Sequence, residues 1–490
     1  MQGSDRAGKV GLTFDDVLLV PKFSAIRSRR DVVTATRFSR RIKLNVPIVS
    51  ANMDTVTESS MAIAMARLGG LGVIHRFMPV EEEVQEVLKV KRSEGVVIED
   101  PVTLGPDGTV EDARDLMEER QVGGIVIVDG ARKVLGLVTR RDVIFEDEPK
   151  RGLRAVMTPR KDLVTAPKGV GLDDAKQVLR KHKVEKLPLV DSKGRLCGLI
   201  TSKDIMKMKQ FPMASKDGKG RLRVAAAVGV KGDRVIRARK LIDAGADALV
   251  VDIAHGHSEH AIETVRRIKK ELGDVEVVAG NVATSRGTLD LIRAGADSVK
   301  VGVGAGSVCV TRVVTGFGVP QLTAIIESAK AAKAEGVPII GDGGVRNPGD
   351  VTKAIAGGAS TVMIGSLFAG TEESPGPTIL REGIRYKLTR GMASLAASID
   401  RRVREGDGRA GAGELVEEAI EEGVPEGVEG LIPYKGSVQE VVKELLGGLR
   451  SGMSYSGAAN IAELQKNAEF MRITSAGYKE SLPHDIRRVL

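Results

Sequence analysis

Residues 301–321 read VGVGAGSVCVTRVVTGFGVPQ, and this stretch carries the most explicit chemistry of the chain. One of only two cysteines, Cys309, lies among Gly302, Gly304, Gly306 and Ser307, with Thr311 two residues beyond. Glycines let backbone come close to a ligand or an ion. A thiol on such a loop can reach an electrophilic carbon, and backbone N–H groups around it favour the thiolate. The competing reading is a buried, inert cysteine in a tight turn. Other polar residues follow short apolar runs: Asp252 in VVDIAHGH, Asn281 in AGNVAT, Asp342 and Gly344 in GDGGVR, Gly365 and Ser366 in MIGSLFAG. Gly-rich turns after strands supply N–H donors for a phosphate. His255 and His257, two residues apart with no third ligand, make a poor zinc site.

The elements that must hold these residues are legible from about residue 220. ALVVDIA, VEVVAGNV, SVKVGVG, VPIIGDGG and STVMIGS read as strands. RVIRARKLIDAG, HAIETVRRIKKELG, GTLDLIRAG, LTAIIESAKAAKAEG and DVTKAIAGG read as helices, several closing on glycine. Strand–helix alternation implies a parallel sheet, and the number of units favours an α/β (β/α)₈ TIM barrel over an open sheet. The polar motifs follow strands, where such barrels place their chemistry.

Residues 98–208 break this rhythm with an internal repeat. Each half carries a helical stretch (VEDARDLMEERQV; LDDAKQVLRKHKV) and then a strand pair ending in GLVTRRDV or GLITSKDI. The expected organisation is barrel residues 1–97, an inserted pair of units at 98–150 and 151–208, and the rest of the barrel at 209–490, with a flap-like region at 392–436.

Composition bounds the rest. The chain has 490 residues, 42% hydrophobic, 28% charged and 3% aromatic, with no Trp and 58 Gly. An aliphatic core of buried parallel strands suits those figures. The net charge of +9 comes from Lys and Arg dispersed among acidic residues, with almost no aromatics to stack bases. That speaks against nucleic acid and for phosphorylated small molecules. Two cysteines make no disulfide framework, the start MQGSDRAGKV has no signal-peptide core, and no apolar run reaches membrane-spanning length. A cytoplasmic protein is expected.

Many long motifs stand in order: GLTFDDVLLVP (11–21), SANMDTVTE (50–58), GLGVIHR (70–76), VVDIAHGH, AGNVAT, the Cys309 loop, GDGGVR, MIGSLFAGTEESPG (363–376) and RGMAS (390–394). Over nearly the whole chain they resemble the IMP dehydrogenase and GMP reductase family. The resemblance implies that Cys309 attacks C2 of a purine nucleotide monophosphate, with Thr311 and Glu426 also catalytic and a hydride exchanged with a nicotinamide. It implies Ser307, Gly344, Gly365 and Ser366 at the 5′-phosphate, Asp342 at the ribose, and Gly391, Met392 and Ala393 beside the base. Asp252 would contact the nicotinamide ribose, with Asn281, Gly302 and Gly304 on the cofactor side. The carbonyls of Gly304, Gly306 and Cys309 would hold a monovalent cation, K⁺, completed by the C-terminal GYKESLPHD of a neighbouring subunit. The repeat resembles a tandem CBS (Bateman) pair, in which Thr139, Asp142, Thr201 and Asp204 would face adenine or guanine nucleotides. A homotetramer or octamer is implied.

Within the family, the dehydrogenase hydrolyses its intermediate with an Arg–Tyr pair on a flap. Here the region from Met392 to Pro425 contains no Tyr, and Arg409 is followed by Ala410. A methyl group relays no proton. Residues 407–423 instead read as a helix, and Asn52 in SANMD, the GSVC loop and Thr389 before RGM resemble reductases. VPEGVEGLIPYKG (424–436) and GGLRSGMSYSGA (447–458) look dehydrogenase-like. The expectation is a GMP reductase using NADPH. The alternatives are an IMP dehydrogenase using NAD and a non-catalytic nucleotide-binding regulator.

Overall fold

The computed structural model describes residues 9–94, 97–405 and 424–483. The chain divides into two compact units, one of residues 1–91, 213–216 and 222–490, the other of residues 92–212 and 217–221.

The first unit is a closed barrel of eight parallel strands. They are β1 (Ile48–Ser50), β2 (Leu71–Ile74), β3 (Ala225–Val228), β4 (Ala248–Asp252), β5 (Glu276–Val282), β6 (Ser298–Val301), β7 (Ile339–Asp342) and β8 (Thr361–Ile364). β8 pairs with β1, which closes the ring. Helices follow the strands: α1 (Ser59–Arg67), α2 (Val80–Ser93), α3 (Arg234–Asp243), α4 (Glu259–Leu272) and α5 (Ser285–Arg293). After β6 come the short α6 (Thr311–Thr315) and then α7 (Gln321–Ala334); α8 (Pro348–Ala356) follows β7. α9 (Leu395–Glu405) and α10 (Val438–Tyr455) come later, ahead of two short C-terminal helices, and α10 packs against α8 and α1 to complete the outer ring. The helices begin where side chains can cap them. Asn347 and Asp350 form a capping box around Pro348 at the start of α8, and Ser258 and Thr284 cap α4 and α5.

Strand geometry explains how the barrel carries its chemistry. Side chains alternate between faces along a strand. Leu249, Val251, Val277, Val299 and Ile339 pack outward beneath the helices. Ala225, Ala227, Ala248, Val250, Val278 and Ile340 fill the interior, together with Phe38, Ile42 and Leu44 from an N-terminal hairpin. Continuing the inward phase to the strand ends places Asp252 of β4, Lys300 of β6 and Asp342 of β7 on that same row. Gly280 of β5 stands opposite Lys300. A Cβ there would lie 2.6 Å from Lys300 Cβ, so only glycine leaves room for the lysine. The register then shifts between Gly280 and Val282. The extra residue, Asn281, is turned toward the barrel mouth, as a bulge does to a side chain.

A three-stranded antiparallel sheet follows the barrel: β9 (Thr378–Arg381), β10 (Ile384–Arg390) and β11 (Glu429–Pro433). The second unit repeats one arrangement twice. Helix Val110–Glu119 precedes the antiparallel pair Gly124–Val128 and Val134–Thr139. Helix Leu172–His182 precedes Lys186–Val190 and Leu196–Thr201. Even the register shift recurs, at Ile127/Val128 and at Leu189/Val190. Among the described residues no helix is long and apolar enough to cross a membrane.

Candidate active site

A cavity of about 470 Å³ opens where the barrel strands end. Its lining brings together Cys309, Thr311 and Glu426, then Asp252, Asn281, Gly302, Gly304 and Asp342, and finally Gly391, Met392 and Ala393. A narrower recess continues from it, sharing Ala51, Met53, Gly306, Val308, Asp342 and Gly343. That recess collects Ser307, Gly344, Gly365, Ser366 and Thr389. Residues spread over more than a hundred positions of sequence thus converge.

Cys309 lies on the loop between β6 and α6, and this loop is held on both sides. Arg312 donates to the carbonyls of Val303 and Val319. From the other side, Val310 N–H donates to Glu426 O at 2.8 Å and Val428 N–H to Val308 O at 2.9 Å. Gly391 N–H and Glu426 N–H extend the lattice to Val428 O and Ala393 O. Residues 391–393 and 424–428 therefore form a roof bonded to the cysteine loop. Gly391 suits this packing, since a Cβ there would sit 2.9 Å from Gly427 Cα. The side chains align in turn. Cys309 Sγ is 3.1 Å from Thr311 Oγ1, which donates to Glu426 Oε2 at 2.7 Å. A thiol, a hydroxyl and a carboxylate in sequence form a proton path.

The opposite wall is electrostatic. Lys300 Nζ pairs with Asp252 Oδ1 at 3.1 Å and Asp342 Oδ2 at 2.8 Å. Asn281 Nδ2 donates to the same Asp342 oxygen at 2.9 Å and to Gly302 O at 2.8 Å. Asn52 hydrogen-bonds Asp252. Burial opposes the Asp252 carboxylate, yet Lys300 and Arg76 outweigh it and hold its pKa below the usual carboxylate value. Burial likewise opposes the Lys300 ammonium, and the two carboxylates reverse that and raise its pKa. Gln321 Nε2 ties the ends of β6 and β7 by donating to Val301 O and Asp342 O. Gly302 (φ 153°) lies so close that any Cβ would collide with the Asp342 carbonyl.

The reading from sequence missed Lys300, Arg76 and Gln321. Lys300 could have been found by extending the period-2 phase of SVKV. Behind Arg76, the buried Glu83 accepts from Arg237 Nε at 2.7 Å, and Arg237 Nη2 donates to the carbonyls of Arg76 and Met78. His257 pairs with Asp290 at 3.0 Å, and His255 meets it edge-on. Among the described residues no cluster of three His, Cys, Asp or Glu could hold a metal.

Gly304, Gly306 and Cys309, whose carbonyls are expected to hold a monovalent cation, all line the cavity. Gly306 O already accepts from Cys309 N–H at 3.2 Å, and the Arg312 guanidinium lies against Gly304 and Val303. Of the expected C-terminal segment, Ser475–Glu480 forms a helix that packs beside Phe14–Asp16; His484 and Asp485 lie outside the described residues, as do Arg409, Ala410 and the helix expected at 407–423. In the second unit, Thr139 N–H and Oγ1 both bond Asp142 Oδ2 at 2.7 Å as a helix capping box. Those two residues, expected to face a nucleotide, bond each other through one carboxylate oxygen. Thr201 ends its strand, and the Asp204 side chain is outside what is described.

The chain matches the IMP dehydrogenase / GMP reductase domain over residues 11–484. It belongs to the IMP dehydrogenase/GMP reductase family. Family members are oxidoreductases of purine nucleotide metabolism that use NAD(P). The chain is 56% identical to an inosine-5'-monophosphate dehydrogenase of Nitrosopumilus maritimus over 479 residues, 98% of this chain and 99% of that one. It is 50% identical to the enzyme of that name from Bacillus subtilis, covering 98% and 96%. Among solved structures it is similar to a GMP reductase variant from Trypanosoma brucei in complex with guanosine 5'-monophosphate. The TM-score is 0.91 at 42% identity, covering 99% of this chain and 100% of that one.

Proposed function

We propose that the chain is a GMP reductase, converting GMP and NADPH to IMP, ammonia and NADP. One observation carries the reading: Cys309 has the Thr311–Glu426 pair within hydrogen-bond reach, while no tyrosine occurs between residues 387 and 433 to activate water. Cys309 gives its proton through Thr311 to Glu426 and the sulfur adds to C2 of guanine. The C2–N bond breaks, and the amine leaves as ammonia with the proton returned along the same path. A thioimidate to Cys309 remains. When bound, the nicotinamide dinucleotide supplies the hydride that replaces sulfur at C2, and the released thiolate takes a proton from solvent. Arg76, Phe77, Asp252, Ile253 and Ala254 wall the part of the cavity suited to that dinucleotide. Ser307, Gly344, Gly365 and Ser366 form the recess for the nucleotide phosphate, and Asp342 is positioned to accept from the ribose hydroxyls.

The alternative is IMP dehydrogenase, which makes XMP and NADH from IMP, NAD and water. The names of relatives 50–56% identical favour it. Identity over a whole chain does not by itself fix the reaction, which is decided by a few residues at the barrel mouth. Hydrolysis would need a base over C2, and the sequence offers no tyrosine for it. The test runs both directions on the purified protein: NADPH oxidation with ammonia release from GMP, and NADH formation with XMP from IMP. GMP-dependent ammonia release supports the proposal. Steady XMP production at a comparable or higher rate overturns it in favour of the dehydrogenase.

A further inference from the structure

The two carboxylates that face the cavity share a single lysine. Asp252 ends β4 and Asp342 ends β7, with Lys300 of β6 between them. Its Nζ reaches both at 3.1 and 2.8 Å, and the residue is only 3% exposed. The remaining groups facing this set are Arg76 after β2, Asn52 after β1 and Asn281 of the β5 bulge. Each carboxylate keeps acceptor capacity toward the cavity. One Asp342 oxygen already takes Lys300 and Asn281, which leaves its other oxygen for a ligand hydroxyl. Lysine is a point charge on a flexible stem, so it can lean toward either partner without leaving the other. Gly280 keeps the path of that stem clear.

We propose that Lys300 is a positioning residue that ties Asp252 and Asp342 into one unit, so that the substrate nucleotide and the dinucleotide each depend on its charge although neither needs to touch it. This rests on the reading of Asp342 and Asp252 as acceptors for the two riboses. Binding of one diol fixes one carboxylate, and through Lys300 it fixes the other.

The test compares charge-balanced variants, because Lys300→Met alone leaves two buried carboxylates unpaired and can fail to fold. Asp252→Asn/Lys300→Met keeps the net charge of the cluster. GMP binding is measured by calorimetry without dinucleotide, in Asp252→Asn and in the double variant. The expected result is retained binding in the single variant and a loss of about ten- to a hundredfold in the double, the span of a hydrogen bond to a charged group. The mirror pair, Asp342→Asn and Lys300→Met/Asp342→Asn, is titrated with NADPH and should show the same step. In GMP turnover by any folded Lys300 variant, KM rises far more than kcat falls. Equal GMP affinity in Asp252→Asn and Asp252→Asn/Lys300→Met overturns the tie and leaves the ribose reading intact. Undiminished GMP binding in Asp342→Asn overturns both.

Discussion

Thr311→Val tests the proton path with the least disturbance of shape. Valine matches threonine in volume and β-branching, so the cavity wall stays in place, but the hydroxyl is lost. Two contacts go with it: the 3.1 Å approach to Cys309 Sγ and the 2.7 Å bond donated to Glu426. The bond to an ionised carboxylate is worth about 1.5–3 kcal/mol. Loss of positioned acid–base help slows the step it serves by about 10²–10⁴-fold, or roughly 3–5 kcal/mol of barrier. No nucleotide contact is removed, so the loss should fall on kcat with the KM for GMP within about threefold of the parent. Single-turnover ammonia release, read beside steady-state NADPH oxidation, separates the two. Thr311→Ser restores the hydroxyl and should recover most of the rate. A kcat reduced less than about threefold by valine would remove Thr311 from the chemistry. Serine as slow as valine would show that the effect is one of packing.

Three further outcomes follow. Cys309→Ala should abolish turnover in either direction while GMP still binds in calorimetry; substantial residual turnover would refute the covalent route. Burial pushes the Glu83 carboxyl up to about 8 despite Arg237. A carboxyl raised in the folded state stabilises it fully below its ordinary pKa of 4.5 and loses that contribution as pH climbs toward 8, so Glu83→Gln should flatten the decline of melting temperature across that window, and parallel curves would contradict it. Replacing residues 98–208 by a short linker should leave a folded, active barrel, since each unit has its own apolar clusters; a soluble but inactive product would count against it.

The sequence showed the loops better than the walls. Cys309, Asp342, Gly365 and Gly391 sit in Gly-rich motifs whose composition betrays close backbone approach, and they converge on one cavity. The five strands read from β-branched runs are those observed; four are shortened at their C-terminal ends where loop geometry begins, while VEVVAGNV keeps its end at Val282. Lys300 escaped because an isolated lysine in SVKV looks like a strand's solvent face. Only the closed barrel makes that face an interior. Arg237 escaped because its partners, Glu83 and the carbonyls of Arg76 and Met78, lie about 150 positions away and no local pattern links them. Thr139 and Asp142 also have a local role that the motif reading did not bring out: TRRD is a capping-box spacing, and the helix start uses both side chains.

The backbone lattice between residues 308–310 and 424–428 has a consequence for timing. A cover separate from the reactive group could lift and leave the nucleophile as it was. Here the cover and the nucleophile's loop share hydrogen bonds, and Glu426 contributes its side chain to Thr311 while its own carbonyl holds Val310. Lifting this segment dismantles the proton path in the same movement. The reach of the thiol to its proton acceptor thus depends on the same backbone bonds that hold residues 424–428 over the loop.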